Sequence, residues 1–164
     1  DETRDRHRLP ADAIALDGPC RAIVRGDRNE LAVVFRNLLE NAVKYSDEPV
    51  EVKVSVLGSR EGRVSVDISD RGIGIPAGEL RKIFQRFYRA GRDAQRAASG
   101  LGLGLFIVRN LVRRQGGRVV ARSEGNGAGS RFVVTLRVAN RAPAASKTHS
   151  SEGRLTEARV GPGL

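Results

Sequence analysis

Two asparagines and a lysine share one helix face in the segment Asn37 to Ser46, which reads Asn-Leu-Leu-Glu-Asn-Ala-Val-Lys-Tyr-Ser. Wound as an α-helix, Asn37, Asn41 and Lys44 fall within about 60° of one another, beside an apolar stripe that predicts a core face. Amide oxygens suit a hard metal ion, and an ammonium group suits a phosphate. With Tyr45 next to it, this polar line indicates a binding-site wall. A solvated helix flank has the same pattern, so the helix alone leaves both interpretations open.

A glycine-rich turn is the second candidate element. It precedes a strongly apolar segment that predicts a helix through Gln115, which Gly116 and Gly117 end. Free backbone N–H groups at a helix start form an anion site, and glycines admit close approach. The turn is no dinucleotide fingerprint, because it does not follow a strand, and the chain holds no Gly-Lys-Ser/Thr of a P-loop. The residues of this turn are Gly100, Leu101, Gly102, Leu103 and Gly104.

Two further motifs lie between these elements. In Asp70-Arg-Gly-Ile-Gly-Ile-Pro76, a carboxylate that can accept from an amino group precedes two glycines at alternate positions, although Asp-x-Gly is also a common turn. In Phe84-Gln-Arg-Phe-Tyr-Arg89, the two phenylalanine rings predict a structural contact. Arg89 stands where the polar, Ala-rich segment 90–99 begins, and we expect a mobile loop there.

The elements that must position these motifs follow from periodicity and turn composition. Asp27 is a good N-cap for the first long helix, with Glu30 placed as in a capping box, and Ser46 to Pro49 ends that helix. Alternating valines predict two strands joined by a hairpin loop over 58–62, with the helix covering one face. The other predicted elements are short strands at 13–16 and 22–24, a short helix at 77–83, and strands at 118–123 and 131–138.

Composition limits the function classes. A chain of 164 residues is at most one domain with tails, and no apolar run approaches the length of a membrane helix. The net charge of +10 raises nucleic acid as a partner, but the basic residues are interleaved with acids and seven aromatic residues are few for base stacking. We therefore expect no nucleic-acid partner. Cys20 stands alone and is expected to be a small buried residue.

In their order and spacing, the four motifs resemble the N, G1, F and G2 boxes of the catalytic ATP-binding domain of sensor histidine kinases. The resemblance covers about residues 10 to 138. It implies the α/β fold class, as a two-layer α/β sandwich of the Bergerat type shared with gyrase, the MutL mismatch-repair proteins and the heat-shock 90 chaperones. Such a fold has a mixed, mostly antiparallel sheet covered on one face by helices, and a mobile ATP lid.

The resemblance also implies a role for each site residue, with ATP and Mg²⁺ as cofactors. Asn41 would coordinate Mg²⁺, and Asn37 would support the metal or phosphates one turn earlier. Lys44 and Arg89 would contact the phosphates, and Tyr45 would lie beside the adenine. Asp70 would accept from the adenine amino group, Gly72 and Gly74 would shape the adenine floor, and Ile75 would also belong to the cofactor-binding residues. The backbone of Gly100 to Gly104 would bind phosphates. Leu101 departs from the usual Thr or Ser, so only its backbone contact carries over.

Position 37 distinguishes the branches of this superfamily. The gyrase-like ATPases have a water-activating glutamate there, and Asn37 implies slow hydrolysis with the γ-phosphoryl kept for an acceptor. By this resemblance, Lys44, Arg89 and Asn37 are the candidate catalytic residues of a protein-histidine kinase. Glu40 lies about 60° off the line of Asn37 and is a weak substitute base. A serine kinase of the anti-sigma type and a non-catalytic, nucleotide-gated interaction module are the alternative functions.

The resemblance also predicts the organisation of the chain. Residues 1–11 are expected to be a linker from a missing upstream dimerisation and phosphoacceptor domain, 12–138 the catalytic domain, and 139–164 a disordered tail. His7 and His149 lack the sequence context of a phosphoacceptor. The expected partners are the histidine phosphotransfer domain of the same kinase, which would also form the homodimer, and a response regulator receiver domain. A cytoplasmic location is expected for the domain.

Overall fold

The computed structural model of the chain describes residues 2–17, 22–90 and 100–139. The expectations for Cys20, for the loop at 91–99 and for the tail beyond Ala139 lie outside these residues. Within the described ranges, no helix has the length and apolar character needed to cross a membrane.

Five strands form a single mixed sheet. Their order is β1-β2-β3-β5-β4, in which β1 pairs with β2 in parallel and all other neighbours are antiparallel. This arrangement confirms the predicted mixed, mostly antiparallel sheet. The strands are β1 Ile14–Asp17, β2 Val52–Arg60, β3 Arg63–Asp70, β4 Arg118–Arg122 and β5 Ser130–Arg137.

The hairpin between β2 and β3 is tighter than the sequence predicted. Arg60 pairs with Arg63, so the loop shrinks from the predicted 58–62 to Glu61 and Gly62. Both residues have positive φ, 52° and 70°. Two left-handed residues make the turn whose twist matches that of the strands it connects, and the β-strands therefore run up to it.

Two predicted short elements are wrong. The strand expected at 22–24 is reduced to one isolated bridge between Val24 and Val138. The helix expected at 77–83 consists of two single-turn 3₁₀ segments, Ala77–Glu79 and Lys82–Phe84. A seven-residue segment that contains Gly78 gains too few hydrogen bonds to offset the nucleation of an α-helix.

The helix α2 spans Arg28–Tyr45 and begins at the predicted cap. The Asp27 carboxylate accepts from the N–H groups of Asn29 at 2.8 Å and of Glu30 at 3.0 Å. The reciprocal half of the predicted capping box is absent, because the Asp27 N–H donates instead to Gln115 Oε1 at 2.9 Å. Gln115, just after helix α3 (Gly104–Arg114), also donates to Glu30. The end of α3 therefore caps the start of α2.

The N-terminal residues that the sequence predicted to be a linker include a short helical segment. Glu2–His7 form a short helix, α1, that lies on α2. Arg6 pairs with Glu40, and Arg36 of α2 pairs with Glu2 at 3.2 Å. Thr3 is buried. These contacts between opposite charges join α1 to α2.

The core lies between the helices and one face of the sheet. Leu38 of α2 and Val108 of α3 are fully buried against Ile68 and Leu136 of the central strands. This confirms the two-layer α/β sandwich with helices on one face. The two helices also contact each other, so that their polar edges border the same space above the end of β3.

Candidate functional site

A cavity of about 730 Å³ opens between α2, the start of α3 and the ends of the central strands. Its wall includes every site residue predicted from the sequence except Gly72. The predicted residues on the wall are Asn37, Asn41, Lys44, Tyr45, Asp70, Gly74, Ile75, Arg89, Gly100, Leu101, Gly102, Leu103 and Gly104.

The two asparagines of α2 are held differently. Asn37 Nδ2 donates to the Val33 carbonyl at 2.8 Å, which turns Oδ1 toward the start of α3. A Cβ placed on Gly104 would lie 2.8 Å from that Oδ1, so a side chain there would require the Asn37 amide to shift. Asn41 is half-buried, and its amide makes no hydrogen bond to any other residue that the structure describes. Its oxygen is therefore available to a ligand.

Lys44 extends from α2 across the cavity toward the glycine-rich turn. Its Nζ lies 5.0 Å from the centroid of the Tyr45 ring and 3.4 Å from the position of a Cβ on Gly100. Arg89 lines the cavity near the same turn and is half-buried. Two cations thus border the space in front of the helix α3.

The glycine-rich turn presents a helix start without a side-chain cap. The helix α3 begins at Gly104, and no side chain accepts from the N–H groups of its first turn among the described residues. Gly102 has φ 66°, and its carbonyl accepts from the Phe87 N–H at 3.1 Å, which ties the turn to the F motif. Uncapped N–H groups and the positive end of the helix dipole favour an anion here.

Asp70 is buried at the opposite end of the cavity. Its Oδ1 accepts from the N–H groups of Gly72 at 3.0 Å and Ser130 at 3.1 Å, and its Oδ2 accepts from the Ser130 hydroxyl. Burial raises the pKa of Asp70 above its usual value, while these hydrogen bonds oppose the rise. The segment Gly129-Ser130-Arg-Phe132 also matches the family resemblance in sequence, but the resemblance gave Ser130 no role at the site; Asp70 and Ser130 stand opposite each other in the β3–β5 register.

The first glycine of the G1 motif has a different role from the one expected. Gly72 does not line the cavity; a Cβ there would lie 1.8 Å from the Tyr45 carbonyl oxygen. The expectation that Gly72 shapes the cavity floor is corrected: it allows the strand end to meet the end of α2, where the Ile73 N–H donates to Tyr45 O at 3.0 Å. Gly74 does line the cavity, with φ 70° and the Gly125 carbonyl where a Cβ would stand.

The loop between β4 and β5, residues 123–129, is hydrogen-bonded to this wall, although the sequence did not predict it as part of the site. The Ser123 hydroxyl accepts from the Ile75 N–H at 3.0 Å and donates to the Gly129 carbonyl at 2.7 Å. The Gly127 N–H donates to the Ile73 carbonyl at 2.7 Å. The backbone around Ile75 is therefore fixed on both sides. Further wall residues that the sequence did not single out are Asp47, Ile73, Pro76, Ile83, Tyr88, Asn126, Gly127 and Phe132.

Three acidic residues that the structure describes line the cavity, Glu40, Asp47 and Asp70, and the first and last of them are engaged. Glu40 lines the cavity but pairs with Arg6, and Asp70 is held by three donors. No group of three or more His, Cys, Asp or Glu side chains that could hold a metal ion occurs in residues 2–17, 22–90 and 100–139. The side chains of Asn37 and Asn41 offer amide oxygens to a metal at this site.

Comparison with known proteins identifies the family to which the chain belongs. The family described as histidine kinase-, DNA gyrase B- and HSP90-like ATPase matches residues 26–140. The sensor-like histidine kinase SenX3 of Mycolicibacterium smegmatis is 34% identical over 82% of the chain. The histidine-protein kinase BaeS of Escherichia coli is 39% identical over 63% of the chain. The aligned region amounts to 36% and 22% of the lengths of these relatives, respectively.

Solved structures agree with the sequence relatives. The mycobacterial sensor histidine kinase MprB superposes with a TM-score of 0.66 at 27% identity, over 84% of this chain and 91% of that one. The ATP-binding domain of PrrB from Mycobacterium tuberculosis superposes with a TM-score of 0.62 at 27% identity, over 84% of this chain and 88% of that one. These findings confirm the fold and the resemblance stated from the four motifs. The chain therefore belongs to the histidine kinase-, DNA gyrase B- and HSP90-like ATPases, as an ATP-binding domain of the sensor histidine kinase type.

Proposed function

We propose that the chain binds Mg-ATP and transfers the γ-phosphoryl group to a histidine on a separate dimerisation domain, for relay to a response regulator. The relatives named as sensor histidine kinases support this function over a serine kinase or a non-catalytic module. In this proposal 12–138 is the catalytic unit, placed in the cytoplasm, and homodimers form through the upstream domain.

The two ends of the cavity suit the two ends of the nucleotide. At one end, Asp70 offers a carboxylate to the exocyclic amino group of adenine, beside the apolar side chains of Ile75 and Phe132. At the other end, the start of α3 with Lys44 and Arg89 provides N–H donors and two cations for the phosphates. Such preorganised donors and charges stabilise the charge spread over a transferring phosphoryl group.

The donor set fits Mg²⁺. Asn41 supplies a half-buried amide oxygen with no partner in the described chain, and Asn37 Oδ1 lies one turn away. Mg²⁺ prefers oxygen ligands and takes few from the protein when phosphates and water supply the rest. When bound, the ion would neutralise charge on the phosphate oxygens. Asn41 would hold it, and Asn37 would support it from the α3 side.

The observation that carries the kinase function is the chemistry at position 37. An amide there cannot remove a proton from water, and its nitrogen is committed to the Val33 carbonyl. The nearby carboxylate of Glu40 is paired with Arg6. A site with two cations, an anion-binding helix start and an amide instead of a base at position 37 is suited to hold ATP for an external acceptor rather than to hydrolyse it.

Phosphotransfer to a histidine domain tests the proposal. The chain would be mixed with the helical hairpin domain of its own parent protein, or of a close relative, and with ATP labelled at the γ-phosphate. We expect label on the hairpin protein that is stable to alkali and labile to acid, and none when the hairpin histidine is replaced by Gln. Release of labelled phosphate without any phosphohistidine would refute the function.

A further inference from the structure

The face of the sheet that points away from the helices is strongly basic. Side chains alternate along each strand, so that Val64 and Ile68 enter the core while Arg63, Ser65 and Asp67 point to the opposite side. We call that opposite side the open face. Its exposed cations lie on four of the five strands and are Lys53, Arg63, Arg118, Arg122, Arg131 and Arg137.

The acids on the strands of this face are already engaged. Asp17 pairs with Lys53 at 2.8 Å, and Asp67 pairs with Arg131. The remaining four arginines, which have no acidic partner among the residues that the structure describes, are Arg63, Arg118, Arg122 and Arg137. The open face therefore carries part of the chain's net charge of +10, which the nucleotide site does not use.

Two of the cross-strand pairs on this face join like charges. Arg63 stands opposite Arg137, and Arg122 stands opposite Arg131. Like charges directly opposite each other in a sheet are unfavourable. Asp67 offsets the repulsion in the second pair only, because it forms an ion pair with Arg131. An anionic partner over the open face would relieve both repulsions, and the pairs therefore point to such a partner.

The charges spread over a plane and do not surround a pocket. From Arg131 to Arg137, the two ends of the basic face lie about 20 Å apart along β5, and the four strands span about 15 Å across. Between the ends lie Ser65 and Thr135, whose hydroxyls are hydrogen-bonded at 3.1 Å, and the half-buried Val133. The strands place no aromatic residue on this face to stack on nucleic-acid bases.

We propose that the open face binds the anionic headgroup surface of a phospholipid bilayer. An extended plane of arginines without a groove matches a planar array of phosphates, with which guanidinium groups form paired hydrogen bonds. The residues beyond Ala139 are a poor alternative occupant, because Arg141, Lys147, Arg154 and Arg159 outnumber Glu152 and Glu157 there. The helices and the cavity lie on the other side of the sheet, so ATP would still reach its site.

Vesicle sedimentation with the full chain tests this inference. The vesicles contain phosphatidylcholine alone or phosphatidylcholine mixed with phosphatidylglycerol. We expect binding to the mixed vesicles only, weakening as salt is raised. Each basic residue near an anionic membrane contributes about a fivefold factor to partitioning, so removal of four should weaken binding by about several hundredfold at low salt.

Two variants with the same net charge separate placement from bulk charge. In the first, Arg63, Arg118, Arg122 and Arg137 are all replaced by Gln. In the second, four exposed arginines off the open face, Arg28, Arg81, Arg109 and Arg113, are replaced by Gln. We expect the first variant to lose vesicle binding and the second to keep most of it, while Mg-ATP affinity stays at the wild-type value in both.

Three results would overturn the inference. Equal loss in the two variants would mean that net charge alone drives association. Absence of wild-type binding to anionic vesicles at low salt would exclude an anionic bilayer as the partner of the open face. The wild type could instead bind duplex DNA and not vesicles. If the first variant lost that DNA binding, the open face would be assigned to nucleic acid.

Discussion

Asp70 and Ser130 are joined by two hydrogen bonds, one from the Ser130 N–H to Oδ1 at 3.1 Å and one from the Ser130 hydroxyl to Oδ2. With the Gly72 N–H as a third donor, they keep a buried carboxylate oriented at one end of the cavity. Burial raises the pKa of Asp70 and the donors lower it. The serine therefore helps to keep this carboxylate ionised, as an acceptor for an amino group must be.

Replacement of Ser130 by Ala should make adenine-nucleotide binding more sensitive to acid. The hydroxyl that stabilises the ionised form is lost, so the pKa of Asp70 rises further. Binding that needs the carboxylate is retained above this pKa and lost as pH falls through it, so the loss should begin at higher pH in Ser130→Ala. Titration of ATP at several pH values measures this. Superimposable pH profiles for the variant and wild type would contradict the role of Ser130.

Replacement of Gly72 by Ala should destabilise the fold through a backbone clash. The added Cβ would lie 1.8 Å from the Tyr45 carbonyl oxygen, and an isolated β-bridge between Ser46 and Gly72 joins the two segments at this point. We expect a loss of about 3 kcal/mol in the free energy of unfolding. Gly78→Ala is the matched control, because its Cβ would meet nothing within 4 Å. Urea unfolding compares the two, and equal stabilities would show that the close approach is not required.

Replacement of Asn37 by Glu should increase ATP hydrolysis. Asn37 faces the start of α3, where the phosphates are proposed to lie, and a carboxylate at this position would provide a general base. A positioned general base contributes about 10²- to 10⁴-fold to a rate. Asn37→Gln, which adds length without a base, controls for steric effects. A steady-state phosphate-release assay measures the outcome, and similar rates in both variants would count against position 37 as the determinant.

Replacement of Arg137 by Thr should stabilise the domain. Arg137 stands opposite Arg63 on the open face, and threonine is well suited to a strand. Relief of the repulsion should raise the free energy of unfolding by about 0.2 to 1 kcal/mol at low salt. The gain should shrink as added salt screens the charges. Thermal unfolding at two ionic strengths measures it, and a loss of stability would show that the arginine pair is not repulsive.

The residues of α2 were predictable because one helix positions all of them. Asn37, Asn41 and Lys44 share a face by spacing alone, and the structure places all three on the cavity wall. The glycine-rich start of α3 was predictable for a similar reason, since its anion site is made by local backbone. The resemblance to a known family then predicted that these separate elements line one cavity.

Contacts between segments distant in sequence were not predictable. Ser130 meets Asp70 only through the register of β3 and β5. Gln115 replaces Glu30 as the partner of the Asp27 N–H because α3 ends beside the start of α2. The docking of α1 depends on Arg6 reaching Glu40, and charged side chains without periodicity give no sign of such a partner. Tertiary packing decides each of these contacts.

Calorimetric titration of ATP with and without Mg²⁺ tests the nucleotide site most directly, on wild type, Asn41→Ala and Asn110→Ala. Asn110 is the matched control, because it is an exposed helical asparagine that donates to the Phe106 carbonyl at 2.8 Å and does not line the cavity. We expect Mg²⁺ to strengthen ATP binding in wild type and in Asn110→Ala, and to have no effect in Asn41→Ala. The same Mg²⁺ dependence in all three proteins would contradict a metal–nucleotide site at Asn41.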